Sequence, residues 1–466
     1  MPWFGLQEGQ VERLRREAEA LLAQVGCRVR HAGLRQQCRR LGAVVDEAAQ
    51  QVRFPAELLR QLLAQAPGHY AVAGINGQAW DVGAGGPHLL SIITDPWVLD
   101  YASGKLRRPS LADVECHTAI AQSLPRVAGI SLMEYPVTDA DGPVSLLLAQ
   151  ERHLCGHDRH IFVYVASWES YLRWLRLHEA LAPAASAPLY SVAVAALSPL
   201  EVSSLNAELL LSACAHGFPV VPTVCPMAGS TSPYTRAATL LQGHAEVLML
   251  AALTQAVRPG HPFLYALGPS VTDHRDGHDQ YYTLDKVLWK VAGVQLAKSY
   301  GLPAAAECGG TMAPRYDMQS GAETMLFMLA ARASGAQVLA GLGSCCNAVT
   351  ISAEMMLVQA AWLDASEHLV RGIDLDDERL GLASLAAAGP GGAFLTDDLT
   401  LRFLRGGEFF SHPRFDYDGE RGRGQALLER AHAEVQRLAS EAVSPVPPPT
   451  RERIAAFYRE ERRQLA

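Results

Sequence analysis

The sequence predicts an α/β fold, an eight-stranded (β/α)8 barrel of the TIM type with added helices and hairpins at its N-terminal end and helices at its C-terminal end. Three observations predict it. From about Val127 the chain alternates short apolar strands, polar or Gly/Pro-rich turns and helices, which is the signature of successive βα units. No Gly-x-Gly-x-x-Gly follows the first of these strands, so the dinucleotide-binding form of the alternative, a doubly wound sheet, has no support. The 466 residues, 49% hydrophobic and 19% charged, suffice for one large core and an accessory layer, and barrels use roughly 200–250 residues as a single unit.

Residues 1–126 read as N-terminal helices and hairpins. Val11, Leu14, Ala18, Leu21, Leu22 and Val25 keep helical spacing until Gly26 stops the run. A short strand is expected at Cys27–Arg30, a second helix around Leu34 and Cys38, and a third after Pro55. Residues 69–99 read as hairpins, and Ser110 with Asp113 marks a helix start by a capping box. Residues 127–418 form the expected barrel, with strands at Gly129–Glu134, His160–Ala166, Leu189–Ala195, Pro219–Val224, Pro262–Leu267, Pro303–Ala306 and Gln337–Gly341. The eighth strand is sought near Gly392–Leu395. Ser198-Pro199-Leu200-Glu201 reads as a helix start. Residues 419–466 are expected to be helical, over Gly419–Ala442 and again from about Thr450, on either side of a stiff Pro-rich linker at 444–449.

Forty basic residues against 48 acidic ones give a net charge of −8, and no basic block suggests nucleic acid or an anionic membrane. The most apolar stretch, Val247 to Val257, is too short to span a bilayer and reads as a buried barrel helix. Nine cysteines and an N-terminus unlike a signal peptide point to a reducing compartment, the cytoplasm.

The run from Ser198 to Ala251 resembles the core of the trimethylamine methyltransferase family. So do the later blocks GPSVTDHRDG, GGTMAPRYDMQSG, GLGSCCNAVTISAEMM, RGIDLDDE and GPGGAFLT, and the earlier VGCRVRH and VLDYASGKLRRPSLADV. Together they cover nearly the whole chain. The resemblance implies an α/β barrel that moves a methyl group from a quaternary or tertiary amine to the cobalt of a separate small corrinoid protein. Founding members place pyrrolysine in the loop that here reads Cys308-Gly309-Gly310-Thr311, at or next to Gly310. The ordinary residue here implies the non-pyrrolysine branch, whose substrates include glycine betaine and related quaternary amines.

Barrel chemistry sits at the C-terminal ends of strands. A quaternary ammonium donates no hydrogen bond and is held by aromatic faces with a carboxylate nearby, each face contributing roughly 0.5–2 kcal/mol. Tyr135, Trp168, Tyr281 and Tyr282 are the substrate-binding candidates, against the alternative that they are rim packing. Glu307 follows a strand end. Asp273 and Glu354 fall in the family-like blocks, either orienting substrate or capping local structure.

Four cysteines depart from the family pattern. Cys225, Cys308, Cys345 and Cys346 follow strand ends, and the vicinal pair resembles the zinc-binding turn of the betaine–homocysteine methyltransferases. Three thiolates hold zinc with one position open, and such a site activates a thiol. Glu307, His244 or His274 are further candidate ligands. The competing reading is small buried hydrophobes. A zinc-thiolate methyltransferase and a catalytically idle binding protein for a methylated amine therefore stand beside the corrinoid-dependent reading. The helical ends outside the barrel suggest a homo-oligomer.

Overall fold

A computed structural model of the chain describes residues 4–181, 187–404, 406, 408–416 and 426–465. At its centre lie seven strands, β1 (His88–Ile92), β2 (Val127–Ser131), β3 (His160–Val163), β4 (Tyr190–Ala195), β5 (Val220–Thr223), β6 (Ala305–Glu307) and β7 (Val338–Leu342). They form one curled sheet in the order β5-β4-β3-β2-β1-β7-β6, and every neighbouring pair is parallel. All residues of β2 and β3 are buried, as expected of parallel strands covered on both faces.

Between β5 and β6 the chain at 262–265 touches both edges of this sheet. Parallel bridges join Val220 to Phe263 and Tyr265 to Ala304. The Leu264 N–H donates to the Val220 carbonyl at 3.1 Å, and the Tyr265 N–H to the Pro303 carbonyl at 2.8 Å. This segment was expected as a strand at Pro262–Leu267.

The sheet does not begin at Val127. His88–Ile92, expected within a hairpin, pairs in parallel with both β2 and β7. Its run of three buried residues is that of an interior strand rather than a half-exposed hairpin arm. Residues 392–395, where an eighth strand was sought, contain none. The hairpin expectation holds for Tyr70–Ala73 with Ala79–Val82, which pair antiparallel.

A helix follows each central strand and the bridging segment: Leu111–Ser123, Gly142–Gly156, Trp168–Leu181, Ser204–His216, Arg236–Val257, Asp285–Ser299, Met318–Ser334 and Ala353–Arg371. The first carries the expected capping box between Ser110 and Asp113. Ser198-Pro199-Leu200-Glu201 does not start a helix. Leu200 has φ +54°, the Glu201 and Leu197 backbones hydrogen-bond to each other across the turn, and Glu201–Val202 pairs in parallel with the N-terminal strand Cys27–Val29. The helix begins instead at Ser204, capped by Ser203. Helix Arg236–Val257 is buried along almost its whole length, so its apolar character is met by packing against helices Glu8–Gln24, Ala32–Arg40 and Ala56–Leu63.

Beyond Arg371 the short helices Asp377–Leu380, Leu382–Ala388 and Asp398–Phe403 contain no buried residue. Ile373, Leu395 and Phe409 are 85–88% exposed. Of the helix expected over Gly419–Ala442, residues 419–425 lie outside the described residues, and the rest forms Leu427–Glu441. The last helix, Pro448–Arg463, starts slightly earlier than expected. Ile454 and Tyr458 seat it fully on the body of the fold.

Candidate active site

A cavity of about 480 Å³ opens at the C-terminal ends of the strands. Tyr135 follows β2 and Tyr164 follows β3, while Tyr281 and Tyr282 come from the loop after the bridging segment; all four line it. Tyr281 and Tyr282 meet edge to face, with ring centroids 5.2 Å apart, which presents faces of different orientation to one space. Trp168 does not line the cavity. It stands at the exposed start of its helix and packs on Tyr171 at 5.3 Å. Tyr164, one residue past β3, takes the place expected of it. Trp168→Ala should therefore leave the KM for a ligand of this cavity within about twofold of the wild type, and steady-state kinetics check this.

Asp95 is not among the residues that the sequence singles out. It follows β1 and lines the cavity, and only 7% of it is exposed. Among the described residues its carboxylate has no hydrogen-bond or ion-pair partner, and burial pushes its titration well above the ordinary carboxyl range. An unpartnered carboxylate in an aromatic-lined cavity is costly to folding unless it serves a ligand. Its acidity lies close enough to influence both Tyr135 and Tyr282.

Glu307, at the end of β6, also lines the cavity, but its charge is engaged. It forms a buried ion pair with Lys290, whose ammonium also donates to the Leu267 carbonyl. The Tyr281 hydroxyl donates to Glu307 Oε1 at 2.9 Å. Behind the Tyr281 ring lies Lys286, with Nζ 2.9 Å from the ring centroid and 3.1 Å from the Pro269 carbonyl. Burial brings the Lys286 titration down to about 7. Glu307 and Tyr281 thus act as a hydrogen-bonded pair with Lys290 beside the carboxylate, and burial pushes the Lys290 titration well below the ordinary lysine range.

Both tyrosines are fixed through Asn347. Its Oδ1 accepts the N–H groups of Tyr281 at 2.6 Å and Tyr282 at 3.3 Å, and its Nδ2 donates to the Asp279 carbonyl. Its own N–H donates to the Thr311 carbonyl at 2.7 Å. Cys346, Asn347 and Ala348 all have φ between +44° and +61°, a strained run for residues with side chains. Asn tolerates this region best. Asn347→Ala should cost roughly 1–2 kcal/mol of stability by chemical denaturation and raise the KM for a ligand of this cavity several-fold.

Gly310 has φ +138°, and a Cβ built there would lie 2.3 Å from the Tyr282 ring. The Tyr282 hydroxyl is held by Ser344 Oγ at 3.1 Å. Tyr282 therefore occupies the space into which a side chain at 310 would project.

Neither Asp273 nor Glu354 reaches the cavity. Asp273 closes its own exposed turn: its carboxylate accepts from Arg275 and Gln280, and the Arg275 hydrogen bond holds it well below the usual range. Glu354 is buried at the start of helix Ala353–Arg371 and accepts from the Tyr316 hydroxyl at 3.2 Å, with His432 Nδ1 2.8 Å away. It fastens the C-terminal helix Leu427–Glu441 to helix Ala353–Arg371.

The four cysteines are not gathered. Among the described residues, no three His, Cys, Asp or Glu side chains converge where they could hold a metal ion. The Cys308 thiol bonds the Ala340 carbonyl at 3.3 Å, and the Cys345 thiol the Thr350 carbonyl at 3.6 Å. Burial pushes Cys308 up to about 12 and Cys345 well above its ordinary value. It also raises Cys225, at the cavity wall, and Cys346. Cys308 and Cys345, buried and donating to backbone carbonyls, pack as small core residues. His244 is turned inward onto the Tyr265 hydroxyl at 2.9 Å. His274 packs on Tyr234 at a centroid distance of 5.1 Å. The expected zinc set is not assembled.

The model of the trimethylamine methyltransferase family matches residues 3–466. The chain belongs to that family. It is thereby an enzyme, a methyltransferase. Trimethylamine methyltransferase of Desulfitobacterium hafniense is 24% identical over 433 residues, 90% of this chain and 85% of that one. Glycine betaine methyltransferase of the same species (strain Y51) is 28% identical over 262 residues, 55% and 54% of the two chains. Trimethylamine methyltransferase of Methanosarcina barkeri is 26% identical over 80% of this chain and 78% of that one. Monomethylamine methyltransferase of Methanosarcina barkeri has a similar fold, with a TM-score of 0.50 at 12% identity over 94% of this chain and 88% of that one.

Proposed function

We propose that this methyltransferase takes a methyl group from a quaternary ammonium compound and passes it to the cobalt of a separate corrinoid protein, over the mouth of a closed (β/α)8 barrel. The observation that carries the donor assignment is Asp95, a buried carboxylate with no partner among the described residues, lining a cavity walled by Tyr135, Tyr164, Tyr281 and Tyr282. An ammonium bearing four carbons offers charge and no hydrogen bond, which suits this combination of aromatic faces and a free carboxylate. The relatives' names, trimethylamine and glycine betaine methyltransferase, support a methylated amine. Closure of the barrel is supported by the bridges that 262–265 makes to both β5 and β6.

With a quaternary donor, the C–N bond pair leaves with nitrogen as a neutral amine, and no acid is required. The chain's own groups bind and orient: Asp95 balances the ammonium, the tyrosines exclude water, and Asn347 holds Tyr281 and Tyr282 in place. Reduced cobalt supplies the attacking electron pair when the partner docks. The cysteines, which form no metal-holding group among the described residues, lend no support to the rival reading of a metal-activated thiol. The nine free cysteines suit a reducing cytoplasm, and the exposed apolar arm beyond Arg371 suits self-association. Mixing the chain with a cobalt(I) corrinoid protein and a panel of quaternary amines should discharge the cobalt(I) absorption for at least one donor. No change with any donor would overturn the reading.

A further inference from the structure

Three carboxylates line the cavity, Asp95, Asp279 and Glu307, against one lysine, Lys290. That lysine is already committed to Glu307 and to the Leu267 carbonyl. Lys286 lies behind the Tyr281 ring and donates to the Gly268 and Pro269 carbonyls. No arginine stands among the described residues of the lining. His278, at the exposed mouth, is paired with Asp276 at 3.1 Å. A carboxylate on the donor would thus enter a partly desolvated space that holds like charges and no unengaged cation, an unfavourable arrangement.

Asp279 adds a second requirement. Its Oδ1 is buried with no hydrogen-bond partner among the described residues, while its backbone carbonyl accepts from Asn347 and its charge is felt by Lys286. A buried acceptor left unmet is costly. Asp95 is suited to an ammonium, which cannot donate; Asp279 is left for a group that can.

Resting on the amine reading above, we infer that the donor's remaining substituent is uncharged and carries a hydrogen-bond donor, a hydroxylated chain, and that Asp279 receives that hydroxyl while Asp95 faces the ammonium. The site would then rank choline-like cations above zwitterionic betaines. The two carboxylates divide the ligand between them, one by charge and one by hydrogen bonding.

Calorimetric titration of the full chain with choline, tetramethylammonium and glycine betaine tests this. Choline is expected to bind at least tenfold more tightly than glycine betaine. In Asp279→Asn, the ratio of choline affinity to tetramethylammonium affinity is expected to fall at least threefold. Tighter binding of glycine betaine than of choline, or an unchanged ratio in the variant, would overturn the inference while leaving the amine reading intact. Binding of none of the three would overturn both.

Discussion

Asp95→Asn is expected to lower kcat/KM for a quaternary donor by about 30- to 700-fold while making the fold more stable. The loss follows from removing one partner of a charge pair in a desolvated site, on the order of 2–4 kcal/mol. The gain follows from linkage. Burial raises the Asp95 titration above that of an unfolded aspartate, so the folded state binds its proton more tightly. Between the two titrations unfolding releases that proton, and stability falls as pH rises through this window. Asparagine removes the penalty, so the variant's melting temperature at neutral pH should exceed the wild type's. Donor binding by the wild type should strengthen with rising pH as Asp95 ionises, and the variant should lose that dependence. Calorimetric titration across pH together with thermal unfolding decides the matter. A variant that is both less stable and unchanged in affinity would show Asp95 to be a packing residue.

Gly310→Ala is expected to cost about 2–4 kcal/mol of stability and most of the activity. The added carbon meets the Tyr282 ring at 2.3 Å, an overpacking that typically costs about 1–3 kcal/mol, and φ +138° adds backbone strain. Tyr282 cannot yield freely, because Ser344 holds its hydroxyl and Asn347 its N–H. Moving it would displace one wall of the cavity. A double-mutant cycle with Tyr282→Ala isolates the cause. In that background Gly310→Ala should cost at least 1 kcal/mol less by urea unfolding. An equal cost in both backgrounds would place the defect in the backbone alone.

Much of the sheet was legible because parallel strands are short apolar runs ending in turns. His160, Leu189, Pro219 and Gln337 all begin expected strands within one residue of the observed ones. His88–Ile92 carries the same signal, the run His-Leu-Leu-Ser-Ile, but its Gly-rich surroundings and the antiparallel pair before it suggest a hairpin. Missing that strand hid Asp95, whose position after a strand end becomes meaningful only once β1 is in the sheet. The cysteines failed for the opposite reason. Their places along the chain were suggestive, but whether thiols converge depends on side-chain directions that spacing does not contain. Asp273 and Glu354 were separated from the site by local hydrogen bonds, Asp273 to Arg275 and Glu354 to Tyr316. Asn347 left only a faint signal, an Asn after two cysteines in a Gly-rich turn.

The arm beyond Arg371 bears on how the protein meets a protease. Arg371, Arg379 and Arg402 are exposed on it, and trypsin cuts after arginine. Cleavage there would leave every described strand and every cavity residue on the first fragment. The last two helices would sit on the second, yet remain attached by the contacts of Arg462 with Glu151 and of Glu461 with Arg173 and Arg176, and by buried Ile454 and Tyr458. A nicked protein should therefore migrate as one body on a sizing column and as two bands after denaturation, with its donor site intact. If the arm instead resists trypsin at high protein concentration and yields on dilution, a second copy is what shields it.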